Sequence, residues 1–159
     1  VLAGNPDRAR RFGGAMSFFT TGEGYALHHL RDGYPWESLS SGTVVDLGGS
    51  HGDVAFALAR KYPQLNIIVQ ELPEVVKNAK KEAGLNVTFM AHDFFDEQPI
   101  EGADVYLFRW TLHNWPDNYC VKMLKALVPA LKKDARVLVM DFVMPPPNML
   151  PNELERQLR

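Results

Sequence analysis

An apolar run that ends in an acid and a glycine-rich turn is the densest chemical signal in this chain: Val44-Val45-Asp46-Leu47-Gly48-Gly49-Ser50-His51-Gly52-Asp53. A helix pattern, Val54 to Tyr62, follows directly. Glycines let the backbone approach a ligand, and a helix start offers N–H groups that no intrahelical carbonyl uses. A second acid, Glu71, closes the next apolar run, Ile67-Ile68-Val69-Gln70. An acid about 20 residues beyond such a turn accepts hydrogen bonds from ribose hydroxyls. An acid ending a buried strand also needs a partner to offset its desolvation. The two features together point to a nucleoside-containing cofactor. The glycine spacing departs from G-x-G-x-x-G and disfavours a nicotinamide dinucleotide.

These groups need a scaffold, and the hydrophobic pattern describes one. Asn5-Pro6-Asp7 starts a helix over 8–20, weakened by Gly13-Gly14. A second helix spans 23–31, ended by Gly33 and Pro35, and 36–42 is linker. Strands and helices then alternate: strand 43–47, helix 53–62, strand 66–70, helix 73–82 with Pro73 in its first turn and Gly84 as its stop. Strand 86–90 leads to a loop around Asp93. Strand 104–109 leads to helix 117–132, with Asp117 as its N-cap. Strand 136–143 runs into Pro145-Pro146-Pro147, which cannot continue a sheet. Continuous apolar strands separated by amphipathic helices predict an α/β fold, a mostly parallel sheet with helices on both faces.

Bulk properties narrow the class. A length of 159 residues fits one domain, and 46% hydrophobic residues suffice for a core. No apolar run is long enough to cross a bilayer. A net charge of −2, with no basic cluster beyond Arg8-Ala9-Arg10-Arg11 and Lys77 to Lys81, argues against nucleic acid. The single cysteine, Cys120, excludes an intrachain disulfide and suits a reducing, cytoplasmic setting. No His/Asp/Glu group has metal-ligand spacing, so no catalytic metal is expected. The chain lacks an initiator Met and a signal peptide, and stops inside a helix pattern that starts near Asn152. It therefore reads as a piece of a longer protein.

The glycine turn with Asp46 before it resembles the first motif of class I S-adenosylmethionine-dependent methyltransferases. Further strings sharpen the likeness: Asp93-Phe94-Phe95 after the third strand, Phe108-Arg109-Trp110-Thr111-Leu112-His113-Asn114-Trp115-Pro116-Asp117 after the fourth, and Val139-Met140-Asp141-Phe142-Val143-Met144-Pro145 after the fifth. Together they resemble the small-molecule O-methyltransferases of plant and fungal secondary metabolism, the caffeate and flavonoid type. The likeness runs from about Arg11 to Pro145, and the Trp-x-x-His-x-Trp-x-Asp string is its most specific part. It implies a Rossmann-like domain over 43–147, a helical lead-in on the substrate side over 1–42, and the start of a C-terminal helix over 148–159.

The likeness also implies roles. His113 is the catalytic base, and its residue type agrees. Imidazole titrates near neutrality, so it can take a proton from a phenolic hydroxyl. Strand carboxyl ends, where His113 sits, are the edge at which open α/β sheets bind ligands. A loop histidine that merely caps a carbonyl is the alternative. Asp141 would orient His113; the family more often carries Glu there, one methylene longer. Asn114 stands where many relatives have Asp. For the cofactor, S-adenosyl-L-methionine, Gly48 and Gly49 after Asp46 would approach the methionine part. Glu71 would hold the ribose, and Asp93 and Phe94 would border the adenine. Arg109 stands where Lys is frequent, and Trp115 could pack on a flat ring. Phe94 and Trp115 equally fit core aromatics, and Arg109 equally fits solvent. Ser50 replaces the usual glycine. Phe12, Met16 and Trp110 would line the acceptor pocket, although the spacing of Phe12 and Met16 equally fits core packing.

The expected function is methyl transfer to a hydroxyl of a small aromatic or polyketide-like metabolite, in a protein that forms a homodimer at full length. Two alternatives stay open. One is a cofactor-binding relative with a non-methylating role, which Ser50, Asn114 and Asp141 keep alive. The other is an incomplete fragment, because an unpaired strand 136–143 would leave a sheet edge exposed.

Overall fold

Five parallel strands form one sheet in the order β3-β2-β1-β4-β5. The computed structural model describes residues 26–80 and 82–141, with positions 143, 146, 149 and 151. Its strands are β1 (Thr43–Leu47), β2 (Asn66–Glu71), β3 (Val87–Ala91), β4 (Val105–Arg109) and β5 (Arg136–Met140). The helices are α1 (Leu27–Gly33), α2 (Asp53–Lys61), α3 (Pro73–Lys77) and α4 (Asp117–Leu127). The expected helix over 8–20, with Phe12 and Met16, and the helix near Asn152 lie outside the described residues.

Alternate residues of each strand feed two cores, one on each sheet face. Val44, Ile67, Val69, Val105 and Leu107 pack with α2 through Val54, Ala55, Leu58 and Ala59. Val45, Leu47, Tyr106 and Phe108 pack with α4 through Met123 and Leu127. Burial on both sides explains why the central strands read as unbroken apolar runs. Register is regular: Asp46 pairs with Val69 on one side and Leu107 on the other. The chain reverses its direction of build at β1, so the crevice between the ends of β1 and β4 is the topological switch point. Among the described residues, no helix is long and apolar enough to cross a membrane.

Several boundaries differ from the sequence expectation. The helix expected over 73–82 is only Pro73–Lys77. Asn78 ends it: its side-chain amide donates to the Glu74 carbonyl at 2.7 Å, the acceptor its own backbone N–H would use in another helical turn. The short helix buries no residue, so no packing extends it. The helix expected to reach 132 ends at Leu127 and tightens into a 3-10 turn, Val128–Ala130. Pro129 has no N–H to continue the ladder. Asp117 is not the N-cap. Pro116 holds that place, and Asp117 lies in the first turn, where its charge suits the helix dipole. The linker 36–42 contains a 3-10 turn, Trp36–Leu39, and Trp36 is fully buried with its indole N–H on the Leu30 carbonyl at 2.9 Å. Strand β5 stops at Met140, three residues before the expected end at 143.

Candidate active site

The described residues with an expected catalytic or cofactor role lie at or beyond the carboxyl ends of the strands. The glycine turn leaves β1. The Gly48 N–H donates to the Gln70 carbonyl at 2.8 Å, tying the turn to β2. Gly48 has φ +74°, a left-handed conformation that glycine adopts without strain. A side chain at Gly49 would run into the Asp46 carboxylate and come within 2.9 Å of Val69. The turn is therefore packed directly on Asp46. Ser50, the departure from glycine, takes φ 52°. Its N–H donates to Glu71 Oε1 at 3.3 Å, while Glu71 Oε2 accepts the Leu72 N–H at 2.8 Å. These backbone donors favour the Glu71 carboxylate, but burial outweighs them and raises its pKa.

Asp46 is only 2% exposed, and its Oδ2 has no hydrogen-bond partner among the described residues. Burial pushes its pKa up to about 7; Arg109 pulls the other way, and Glu71 adds to the rise. The Arg109 guanidinium does not simply face solvent. It lies over the Trp110 ring at 4.1 Å, half-buried, and burial lowers its pKa against the opposing pull of Asp46 and Asp53.

Beyond β3, Asp93 shapes its own loop: its Oδ1 accepts the Phe95 N–H at 3.0 Å. The Phe94 ring borders the glycine turn, 3.6 Å from where a Gly48 side chain would begin. Phe94, Phe95 and Trp115 pack edge to face, with Trp115 4.8 Å from Phe95 and 6.0 Å from Phe94. Phe95 and Trp115 thus back Phe94 in one aromatic cluster.

The segment after β4 carries His113, the expected base. Trp110 has φ 53°, a strained conformation for a bulky residue. Two bonds hold it: its N–H donates to the Met140 carbonyl at 3.0 Å, and its carbonyl accepts the Asn114 amide at 3.0 Å. Asp at position 114 would have no proton to donate there at neutral pH. His113 follows in a 3-10 turn, Leu112–Asn114. Asp141, just past β5, grips it twice. Oδ1 lies 2.5 Å from the ring Nδ1, and Oδ2 accepts the His113 N–H at 3.1 Å. The shorter Asp side chain therefore reaches His113. The His113 side chain keeps 33% of its surface exposed, against 12% for Asp141.

A family model for the O-methyltransferase domain matches residues 34–156. The chain belongs to that family. Its curated relatives include O-methyltransferase gsfB of Penicillium aethiopicum, 54% identical over 98% of this chain and 37% of that protein. The O-methyltransferase fold is shared with solved structures. Mitomycin 7-O-methyltransferase MmcR aligns with TM-score 0.79 and 30% identity over 93% of this chain and 44% of its own. NcsB1, an O-methyltransferase of neocarzinostatin biosynthesis solved with S-adenosyl-L-homocysteine and 1,4-dihydroxy-2-naphthoic acid, aligns with TM-score 0.74 and 27% identity. That match covers 87% of this chain and 42% of NcsB1. The chain thus spans under half the length of each of these proteins.

Three residues of this candidate site escaped the sequence reading. Thr111 is buried, and its hydroxyl reaches the carbonyls of Arg109 at 3.2 Å and Leu47 at 3.4 Å, clamping β4 to the glycine turn. Gln70 is buried at the end of β2, and a polar residue inside an apolar run was its signal. Gln98 is buried within a loop, and no pattern marked it.

Proposed function

We propose that this chain is the cofactor- and base-bearing part of an O-methyltransferase that methylates a hydroxyl of a small aromatic or polyketide-like metabolite. The observation that carries this reading is the His113–Asp141 pair, set at the same sheet edge as the glycine turn and Glu71. The residues fit S-adenosyl-L-methionine. Gly48 and Gly49 offer bare backbone beside Asp46, a buried acid suited to the cationic methionine end. Glu71 would hold the ribose, Asp93 and Phe94 would border the adenine with Trp115 behind them, and Arg109 would close the floor. When bound, the cofactor supplies a methyl group on a sulfonium.

Asp141 accepts the Nδ1 proton of His113, so the ring presents Nε2 as an acceptor. An acceptor hydroxyl gives its proton to Nε2 as its oxygen becomes the nucleophile. The imidazolium that results lies against the Asp141 carboxylate, which stabilises it. Trp110 faces the acceptor side in this reading, with Phe12 and Met16 of the 1–42 lead-in completing the pocket ahead of the 43–147 cofactor domain and the 148–159 segment. NcsB1, with its bound naphthoic acid, supports an aromatic acceptor. The reading expects a cytoplasmic homodimer at full length; the free thiol of Cys120 suits that compartment.

Calorimetric titration of the folded protein with S-adenosylhomocysteine, with NAD as control, tests the cofactor half. Saturable binding of the former alone is expected; absence of binding overturns it.

A further inference from the structure

We infer that Gln70 and Gln98 form a positioning pair that sets the distance between the ribose-binding acid and the adenine-side wall, an inference that rests on the cofactor reading above. The two carboxamides meet in the interior, 2% and 4% exposed. Gln70 Nε2 donates to Gln98 Oε1 at 2.8 Å, and Gln98 Nε2 donates back to Gln70 Oε1 at 2.8 Å. Gln98 Oε1 also accepts the Ile100 N–H at 3.0 Å, and the Gln98 N–H donates to the Ala126 carbonyl in α4 at 3.1 Å. Gln70 Nε2 further reaches the Met90 sulfur at 3.7 Å.

The pair joins the three stretches that would touch the cofactor. The Gln70 carbonyl accepts the Gly48 N–H, fixing the glycine turn at 2.8 Å. The next residue is Glu71, whose carbonyl accepts the His92 N–H at 2.9 Å where the adenine-side loop begins. The Gln70 amide then holds Gln98 further along that same loop. One dipeptide thus indexes the glycine turn, the ribose acid and the loop bearing Asp93 and Phe94.

Burying two amides where apolar side chains would fill the space calls for a reason, because an amide left unsatisfied inside a protein is costly. Direction supplies it. Two leucines would pack in several arrangements, whereas two carboxamides satisfy each other in one register. Between its ends the loop is held on the α4 side by Phe94 and Phe95 against Trp115, while Asp93, Asp96 and Glu97 are exposed, so its tie to β2 runs through the Gln98 amide and the His92 N–H. Without the amide pair, the offset of Phe94 from Glu71 would rest on the His92 N–H and the aromatic cluster alone, and would loosen.

The test compares the intact protein with Gln98→Leu and with the double variant Gln70→Leu/Gln98→Leu, measuring thermal midpoint and calorimetric affinity for S-adenosylhomocysteine and for adenosine. Gln98→Leu leaves the Gln70 amide unsatisfied, so both the midpoint and the affinities fall. The double variant removes both amides and recovers part of the midpoint, because the two apolar side chains then satisfy each other and only the Ile100 N–H still lacks its acceptor. Its affinities for both ligands are expected to stay about tenfold weaker than the parent's, the scale of one lost buried hydrogen bond. Equal loss for the two ligands places the defect on the adenosine they share. Affinities that return with the midpoint, or that stay within twofold of the parent throughout, overturn the positioning role. A folded parent that binds neither ligand overturns the cofactor reading itself, and the positioning role with it.

Discussion

Replacing Asp141 by Asn probes the proposed base through the carboxylate that grips it. The carboxylate makes two contacts to one residue, ring Nδ1 at 2.5 Å and backbone N–H at 3.1 Å. Asn has only one acceptor oxygen, and the backbone N–H requires it. The Asn NH2 then points at Nδ1, which must accept, and the ring proton moves to Nε2. A ring in that tautomer cannot take a proton from a hydroxyl at Nε2. Flipping the amide restores the tautomer but opposes two N–H groups, at a cost of about 1–3 kcal/mol. Loss of the charge-assisted bond to the imidazolium adds about 1.5–3 kcal/mol. The two effects together slow proton removal by roughly 10²–10⁴-fold. The assay is single-turnover transfer of a labelled methyl group from S-adenosylmethionine to phenol and naphthol acceptors, with S-adenosylhomocysteine affinity measured beside it. The rate is expected to collapse while the affinity stays within about twofold. A rate within about threefold of the parent, or an affinity that falls with the rate, would refute the orienting role.

His113→Gln removes the proton acceptor itself, and transfer is expected to drop by about 10²–10⁴-fold with cofactor affinity unchanged in calorimetry. Glu71→Ala acts on the other half: loss of the bonds to Ser50 and Leu72 is expected to weaken S-adenosylhomocysteine binding about tenfold or more, before any effect on transfer at saturation. Asp46→Asn tests the buried acid by pH. Its pKa rises from 3.8 to about 7 on folding, so the folded state holds the proton more tightly than the unfolded chain. Its contribution to stability is complete below about pH 4 and is lost as pH rises through about 7. The Asn variant is expected to melt above the parent at pH 8 and level with it at pH 4; a constant difference across that range would contradict the assignment.

The parallel sheet was legible because strands buried on two faces leave unbroken apolar runs, as at Ile67 to Val69. The carboxyl-edge placement of Gly48, Glu71, Asp93, His113 and Asp141 followed from strand direction alone. What escaped depends on contacts distant in sequence. Gln98 lies in a loop and acquires meaning only from Gln70, 28 residues away. Trp36 sits among linker residues, yet its indole meets Leu30 in the core. The early end of α3 turns on one amide, Asn78, which side-chain hydrogen bonding decides and helical periodicity does not record. The reach of Asp141 to His113 required the pairing of β4 with β5, which brings Arg109 opposite Met140 and so delivers the two loops side by side.

The reversal of strand order at β1 divides labour across the sheet. The proposed ribose acid, Glu71, and the proposed adenine-side loop descend from β2 and β3, on one side of the glycine turn. Trp110, His113 and Asp141 descend from β4 and β5, on the other. The two outward-building halves share the β1–β4 seam and meet again where Phe94 and Phe95 pack on Trp115, so that ring contact ties a change in one half to the other. In the proposed enzyme, loops of the β4–β5 half could be rewritten for a new acceptor while the cofactor side stays fixed, provided Trp115 keeps its contact with Phe94 and Phe95.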